Sequence, residues 1–254
     1  MEKVQYVFWG PPDIRSALAP AFLERLAPDL LALDPQGLSV DVVDAGSAIA
    51  SPVPTPDGEQ PHVAVVSLNL DCHDRRLPFE DVIDAFASGL SLTWAAYLVT
   101  EALYTDYGDN EFAAQRSWAD GERSPGLLTV CLIHRPEGMN PDAWYRQWHD
   151  VQSPVSAEIQ PRCRYVRNEV IRALSSDAPA IDGIVEEAWP STDDVTDPMR
   201  FFCAGGDDAR LADHIDRMME SVTAFIDMDR MRNECMGEYL IRTTGEEVSR
   251  DLRR

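Results

Sequence analysis

The stretch LLTVCLIHRPEG, residues 127–138, decides the fold. It begins with β-branched and apolar residues and ends in a turn that contains proline and glycine, a pattern that predicts a strand over residues 127–134. A similar stretch, KVQYVFWGPP, occupies residues 3–12 and predicts a strand over residues 3–9. Each stretch begins one half of the sequence, and both halves then follow the same order of elements.

Hydrophobic periodicity and turn residues predict the remaining elements. In the N-terminal half they predict helices over residues 13–34 and 79–87, and strands over residues 38–44, 62–70 and 91–104. In the C-terminal half they predict helices over residues 140–159 and 207–226, and strands over residues 164–174, 181–189 and 236–242. Pro28 and Pro154 predict a kink or an interruption in their helices. Residues 105–125 are polar and rich in Asp, Gly and Ser, which predicts a linker.

Each half therefore has the order strand–helix–strand–strand–helix–strand, the ferredoxin-like arrangement. Such a sheet carries helices on one face, and the apolar side chains on its other face must also be buried. We therefore expect an α+β protein in which an N-terminal half (residues 1–110) and a C-terminal half (residues 126–245) pack sheet to sheet as a pseudo-dimeric barrel. Because one chain supplies both halves, a second copy is not needed to close the barrel, and a homodimer would use other faces.

Composition excludes several classes of partner. The 254 residues carry a formal net charge of −22, and Lys3 is the single lysine of the sequence. There is no cationic excess that could release counterions from a nucleic acid or bind an anionic membrane. No apolar run is long enough to span a bilayer, and the first residues do not resemble a signal peptide. The five cysteines are widely spaced, which indicates reduced thiols and a cytoplasmic protein.

Motifs for metals and nucleotides are missing from the sequence. No two of the five histidines are spaced as metal ligands on a helix, and there is no glycine-rich phosphate loop. The segment DCHD at residues 71–74 contains ligand types, but a polar turn after a strand explains it better than a metal site does. We therefore expect neither a metal nor another cofactor.

The C-terminal half resembles the EthD-like family of dimeric α+β-barrel proteins. The resemblance is carried by the strand and turn of residues 127–139, the helix segment WYRQW at residues 144–148, the turn QSPV at residues 152–155, and the strands at residues 164–168 and 182–189. The N-terminal half resembles a diverged second copy. The family usually has a histidine just before the small-Pro-apolar turn, where this sequence has Gln152. Proteins of this superfamily catalyse varied reactions, so the resemblance implies a fold more firmly than a chemistry.

The helix around residue 148 offers the first set of candidate site residues. Trp144, Trp148 and Gln152 share one helix face, and Tyr145, His149 and Gln152 share the neighbouring face. In one interpretation the tryptophans are packing residues and His149 lies at the boundary of the core. In the other, His149 has a pKa near neutrality and transfers a proton at the rim of an aromatic pocket formed by Trp148, Tyr145 and Gln152.

Two further sets lie on predicted strands. Arg164, Asn168 and Arg172 should share one face of their strand, with Arg167 on the other face. Ion pairs with carboxylates explain these arginines, and binding of a substrate carboxylate is the alternative. In the N-terminal half, Tyr97 and Glu101 share a strand face and are candidates for an acid–base pair, although such a tyrosine is more often a core residue.

These residues favour a cofactor-independent enzyme that acts by general acid–base catalysis on an aromatic or polyketide-like molecule, with an acidic group as an option. Lyase, decarboxylase, dehydratase, cyclase and isomerase reactions all fit. A non-catalytic binding protein of a degradation pathway is the alternative, and a haem-binding barrel ranks third.

Overall fold

Eight β-strands of the computed structural model close into one barrel within the described part of the chain, residues 1–11 and 15–244. Side chains are described for all of these residues except 15–17. The strands are β1 (Glu2–Trp9), β2 (Gly37–Val42), β3 (His62–Leu70), β4 (Thr93–Thr105), β5 (Leu127–Ile133), β6 (Arg164–Ala173), β7 (Gly183–Trp189) and β8 (Arg232–Arg242). Their order around the barrel is β1-β3-β2-β8-β5-β7-β6-β4.

Every pair of neighbouring strands is antiparallel. The N-terminal half contributes β4-β1-β3-β2 and the C-terminal half contributes β8-β5-β7-β6, which is the ferredoxin-like strand order in both cases. The two sheets join where β2 pairs with β8 and where β4 pairs with β6. Each junction joins the second strand of one half to the fourth strand of the other, so the junctions are related by the pseudo-two-fold. The predicted α+β barrel is confirmed, and the two sheets are also hydrogen-bonded along both edges.

Helices cover the outside of the barrel. They are α1 (Arg15–Ala21), α2 (Ala27–Leu31), α3 (Leu77–Ser88), α4 (Pro141–Arg146), α5 (Ser153–Ile159), α6 (Asp193–Thr196), α7 (Pro198–Phe201) and α8 (Asp208–Thr223). The sequence predicted all of these regions except α6 and α7. The start predicted at residue 13 lies outside the described residues.

The two proline-containing helices are irregular. A π-helical segment, Phe22–Leu26, joins α1 to α2, and a second one, Gln147–Gln152, joins α4 to α5. Pro28 and Pro154 then occupy the first turn after each π segment. The wider turn takes up a residue that has no N–H to donate, and each α-helix is thus interrupted by a π segment just before the proline that predicted an irregularity.

Residues 105–125 are more than a linker, because they pack against the end of β8. The backbone of Ser124 donates a hydrogen bond to Glu238 over 2.8 Å, and Arg123 forms a β-bridge with Tyr239. The strand itself begins at Arg232, earlier than the predicted Met236. This segment therefore brings Tyr107 and Ser124 to one end of the barrel.

The outer faces of the sheets form apolar layers with the helices. In the N-terminal half, Phe22 of the first helical region contacts Phe8 and Phe86 at ring centroid distances of 5.0 and 4.8 Å. In the C-terminal half, Trp148 and Phe225 pack together with Tyr165 of β6. Among the described residues, no helix combines the length and the apolar character needed to cross a bilayer.

The interior of the barrel is polar at one end. Gln5 of β1 donates to Glu186 of β7 over 2.6 Å, and Arg164 of β6 donates to Glu238 of β8 over 3.0 Å. In the sheet, β1 is not a neighbour of β7, and β6 is not a neighbour of β8. Both contacts therefore cross the barrel interior. The sequence predicted apolar inner faces, and at this end the inner faces are charged.

Candidate functional site

A cavity of about 220 Å³ opens at the polar end of the barrel, where β1, β2 and β6 begin and where β3, β4 and β8 end. Four carboxyl groups and two cationic groups line its inner wall. They are Asp41, Glu101, Glu186, Glu238, Lys3 and Arg164. Ser39, Ser67 and Asn69 add neutral polar groups, and Arg242 and Thr244 of the C-terminal strand region lie among the remaining lining residues. The cavity therefore suits a small molecule with several hydrogen-bonding groups.

Lys3 joins two of the carboxylates. Its side chain is 7% exposed, and its Nζ lies 2.6 Å from Glu101 and 3.6 Å from Glu186. Burial alone would lower the pKa of Lys3, but the attraction of Glu101 and Glu186 raises that pKa above its usual value. The single lysine of the chain is thus held as an ammonium ion at the cavity wall.

Glu186 lies at the centre of the polar network. Its Oε1 accepts hydrogen bonds from Gln5 Nε2 at 2.6 Å and from Asn168 Nδ2 at 3.1 Å. The amide oxygens of Gln5 and Asn168 are buried and accept no hydrogen bond. Both residues are completely buried and lie outside the cavity lining, so within the described part of the chain their amides serve to hold Glu186 in place.

Arg164 is already occupied by protein carboxylates. Its guanidinium lies 3.0 Å from Glu238, 3.3 Å from Asp106 and 3.8 Å from Glu186. Burial would lower the pKa of Arg164, but Glu238, Glu186 and Asp106 raise it well above its usual value. Glu238 also accepts hydrogen bonds from Tyr107 at 2.8 Å and from Ser124.

Asp41 differs from the other acids because it has no partner. It is 2% exposed, and within the described part of the chain its carboxyl group forms neither a hydrogen bond nor an ion pair. Burial, followed by repulsion from Glu186 and Glu238, raises the pKa of Asp41 well above its usual value. A buried acid with a raised pKa at a cavity wall is a candidate general acid.

Tyr97 and Glu101 face the same interior but do not form the predicted pair. The Tyr97 hydroxyl donates to the carbonyl of Pro179 over 2.9 Å, whereas Glu101 accepts from Lys3. Burial raises the pKa of Tyr97. Tyr97 is thus a core tyrosine whose hydroxyl is used by the chain, while Glu101 belongs to the cavity.

The residues around His149 lie in the helical layer outside the barrel. Trp148 is 1% exposed and donates to the Tyr165 hydroxyl over 3.0 Å. Gln152 accepts a hydrogen bond from the Ser221 hydroxyl of α8, so it forms part of a helix–helix contact. Tyr145 is 43% exposed and stacks on the His149 ring at a centroid distance of 3.9 Å. These four residues are close together, but none of them lines the cavity described above.

The expected neutral pKa of His149 requires correction. Burial, aided by the positive charge of Arg167, lowers the pKa of His149 to about 4. His149 is therefore an uncharged and weakly basic imidazole near pH 7.

Arg172 does not share the face of Arg164 and Asn168. The pairing of β4 with β6 contains a bulge, after which Val99 pairs with Val170 but Leu98 pairs with Arg172. The extra residue turns Arg172 to the outer face of the barrel, where its Nη2 lies 2.7 Å from His73 Nε2. Arg164 and Asn168 share one face, which is the barrel interior, and Arg167 faces outward.

The segment at residues 71–74 forms the predicted polar turn and contributes to a group of ligand-type side chains. Residues His73–Arg76 are a 3-10 helix, and ligand atoms of Glu2, Cys72 and His73 lie within 4.8 Å of one another. Both ring nitrogens of His73 are engaged, one by Glu2 at 2.8 Å and one by Arg172. A metal ion at this place would have to replace those contacts.

Sequence reasoning did not single out Lys3, Gln5, Asp41 or Glu238 as site residues. The alternation in residues 38–44 did place Ser39 and Asp41 on one polar face of a strand. In an open sheet such a face meets solvent, but in a closed barrel it lines the interior. The polar alternation of this strand, combined with the predicted barrel, could have identified Ser39 and Asp41 as interior residues.

Neither the model of a known protein family nor a curated protein matches the chain. Among solved structures, an anthrone oxidase-like protein superposes with a TM-score of 0.55 and 12% identity over 96% of this chain and 94% of that one. A mutant chlorite dismutase from Candidatus Nitrospira defluvii gives a TM-score of 0.44 at 8% identity, covering 97% and 94% of the two chains. A Dyp-type peroxidase protein from Shewanella oneidensis gives a TM-score of 0.44 at 8% identity, covering 95% and 93%.

The first similarity identifies the fold. The chain is an α+β barrel of the type found in dimeric α+β-barrel proteins, and here a single chain supplies both halves. At 12% identity the similarity extends to the fold and no further.

Proposed function

We propose that the protein is a small-molecule enzyme that transfers protons to and from a substrate bound in the barrel cavity, without a cofactor. The observation that carries the proposal is Asp41, a buried and unpartnered carboxyl group at the wall of a cavity that also presents Lys3 and Arg164. A binding site needs no such acid, whereas proton transfer needs a positioned donor.

The remaining groups have separable tasks in this proposal. Asp41 donates a proton, and Glu101 accepts one when a substrate displaces it from Lys3. The ammonium group of Lys3 then stabilises the negative charge that develops on the substrate. Gln5 and Asn168 hold Glu186 in position from the interior side of the cavity. Arg164 fixes Glu238 and Glu186, so we assign it to positioning rather than to binding a substrate carboxylate.

The cavity constrains the substrate. Its volume of about 220 Å³ is below the ~300–1,000 Å³ typical of sites for drug-sized ligands, and it adjoins a cleft of about 540 Å³ that shares Lys3 and Glu101 with it. A compact aromatic or polyketide-like molecule with hydroxyl or carbonyl groups fits this volume and polarity. Lyase, decarboxylase, dehydratase, cyclase and isomerase reactions remain within the proposal, as does membership of the EthD-like family.

The alternative proposal places proton transfer at His149. The stacked Tyr145 ring and the exposed edge of this region favour a ligand there. A pKa of about 4 makes His149 a weak base at neutral pH, so we favour the cavity.

Deuterium exchange tests the proposal without knowledge of the full reaction. The protein is incubated in D₂O with a panel of small ketones, phenols and hydroxy acids, and deuterium uptake is followed by NMR. We expect uptake into a compound that the wild type recognises, and Asp41→Asn should slow that uptake by about 10²–10⁴-fold. Asp142→Asn, which removes an exposed carboxylate of α4, is the matched control.

The outcomes separate the candidate functions. Loss of exchange in His149→Gln, with full exchange in Asp41→Asn, would assign the chemistry to the helical layer. Binding of compounds in the cavity without any exchange would indicate a binding protein.

A further inference from the structure

Arg167 carries a buried positive charge that the described residues do not neutralise. Its side chain is 8% exposed, and no carboxylate of the described chain forms an ion pair with it. One hydrogen bond is present, from Nη1 to the Ser153 hydroxyl over 2.9 Å, while the buried Nε has no partner. Burial lowers the pKa of Arg167.

The other buried arginines of the same region are neutralised. Arg162 lies 2.6 Å from Glu187, and Arg164 lies 3.0 Å from Glu238. The whole chain has 44 acidic residues and a net charge of −22. An unpaired buried arginine is therefore unusual in this molecule, because burying a charge without a partner is costly.

The groups around Arg167 form a surface for a flat ligand. Its Cζ lies 4.9 Å from the centre of the Tyr104 ring and 5.9 Å from that of Tyr165. Beside it, His149 stacks on Tyr145, and the buried Nε2 of His149 has no partner. Tyr104 and Tyr145 are 37% and 43% exposed, so the group is open to solvent on one side.

We propose that Arg167, His149 and the rings of Tyr104 and Tyr145 form a binding site for the carboxylate of a small aromatic acid. The planar guanidinium matches a carboxylate, Nε2 of His149 supplies a second donor, and the tyrosine rings contact the aromatic part of the ligand. One uncompensated positive charge on a strongly acidic protein favours a monoanion over a multiply charged phosphate.

This site is separate from the cavity of the proposed function, and it includes the His149 of the alternative proposal. Arg167 faces the helical layer, whereas Arg164 and Asn168 of the same strand face the barrel interior. The barrel wall therefore separates the aromatic-acid site from the cavity.

Titration with benzoate, followed by the ring signals of His149 in NMR spectra, tests the site. Benzoate should shift these signals and should raise the pKa of His149 from about 4, because the bound anion offsets the charge of Arg167 while the nearby Asp150 is unchanged. Arg167→Met should weaken benzoate binding by about 10- to 100-fold. Arg172→Met removes the same charge from the outer face of the same strand and should leave binding within twofold.

A second variant and a second ligand test the site if Arg167→Met fails to fold. Tyr145→Leu changes an exposed residue and should weaken benzoate binding severalfold. Benzamide, which lacks the charge, should bind at least tenfold more weakly than benzoate. The site is refuted if benzoate leaves the His149 signals unchanged, or if Arg172→Met weakens binding as much as Arg167→Met. Inorganic phosphate that binds as tightly as benzoate would overturn the assignment to aromatic acids.

Discussion

Lys3 stabilises two carboxylates that would otherwise repel each other inside the barrel. Its Nζ contacts Glu101 at 2.6 Å and Glu186 at 3.6 Å, and both Lys3 and Glu186 are almost fully buried. Removing one member of such a group leaves buried charge without compensation.

We predict that Lys3→Met lowers the free energy of unfolding by about 3–5 kcal/mol, because Glu101 and Glu186 lose their shared cation. Urea denaturation measures the change. Arg75→Met is the control, since it removes a side chain that is 74% exposed in its pair with Asp71 and should cost less than about 1 kcal/mol. Equal losses in the two variants would contradict the role given to Lys3.

Asp41 gives a pH-dependent prediction. Its pKa is raised in the folded protein, so Asp41 ionises less readily in the folded state than in the unfolded state. Below the unfolded pKa of about 3.9, the group is protonated in both states and costs no stability. The protein loses stability as pH rises from there through the folded pKa. Asp41→Asn removes this loss and should be more stable than the wild type at neutral pH by about 1–3 kcal/mol. Thermal denaturation at several pH values should show the difference vanishing toward pH 4. A variant that is less stable than the wild type at neutral pH would show that the charged carboxylate is favoured.

Individual site residues were only partly predictable. Arg164, Asn168 and Glu101 were selected on strand faces, but strand alternation does not tell which face becomes the barrel interior. Asp41 lies on a strand whose residues alternate like those of a half-buried strand. Its polar face becomes the interior only when the barrel closes, and no local sequence pattern predicts that closure. The low pKa of His149 comes first from burial and then from Arg167, a neighbour on a separate strand, and neither can be derived from its own helix.

At the level of elements, bulges and π turns separate prediction from structure. The position of each strand and most helices followed from apolar runs, periodicity and turn residues, although strands such as β3 and β5 are buried on both faces. The bulge in the pairing of β4 with β6 involves no glycine, so nothing in the sequence indicates that Arg172 turns outward. The π segments likewise depend on hydrogen bonding across a whole turn.

Gly126 begins the C-terminal half and has a positive φ of 80°. A Cβ there would collide with the carbonyl oxygen of Trp189 and would lie 2.9 Å from that of Pro190. We predict that Gly126→Ala lowers the free energy of unfolding by about 2–4 kcal/mol, which combines backbone strain and overpacking.

Gly121→Ala is the matched control in the same chemical denaturation experiment. Gly121 has a similar φ of 84°, and nothing lies within 4 Å of its added Cβ. Gly121→Ala should lower the free energy of unfolding by only about 1–2 kcal/mol, which is the strain of the left-handed conformation. Equal costs at both positions would mean that the collision with Trp189 is relieved by a small shift.

At the level of the whole molecule, the repeated order of elements predicted two halves and their packing. It could not predict that β2 pairs with β8 and β4 with β6, because edge pairing depends on the twist and tilt of both sheets. Pairing at these two junctions closes the barrel, so that the polar inner faces of the strands line an enclosed interior. The same closure creates the cavity.

The net charge of −22 gives a prediction for the whole molecule. Repulsion between surface carboxylates destabilises the compact state, and salt screens it over about 10 Å at 0.1 M. Raising NaCl from 10 to about 300 mM at pH 7.5 should stabilise the fold by about 1 kcal/mol, or roughly 2–4 °C in Tm. Near pH 4.4, close to the isoelectric point, the salt effect should disappear. A Tm independent of salt at pH 7.5 would contradict this account of surface charge.

Lys3 is a natural reporter for the proposed active site in the barrel cavity. Because it is the single lysine of the chain, protein labelled with ¹⁵N-lysine gives one side-chain ammonium signal, which comes from the cavity wall. We predict that a compound whose deuterium uptake depends on Asp41 shifts this signal on binding and leaves the ring signals of His149 in place. A compound that undergoes exchange while shifting His149 and leaving the Lys3 ammonium signal unchanged would contradict the assignment of the active site to the barrel cavity.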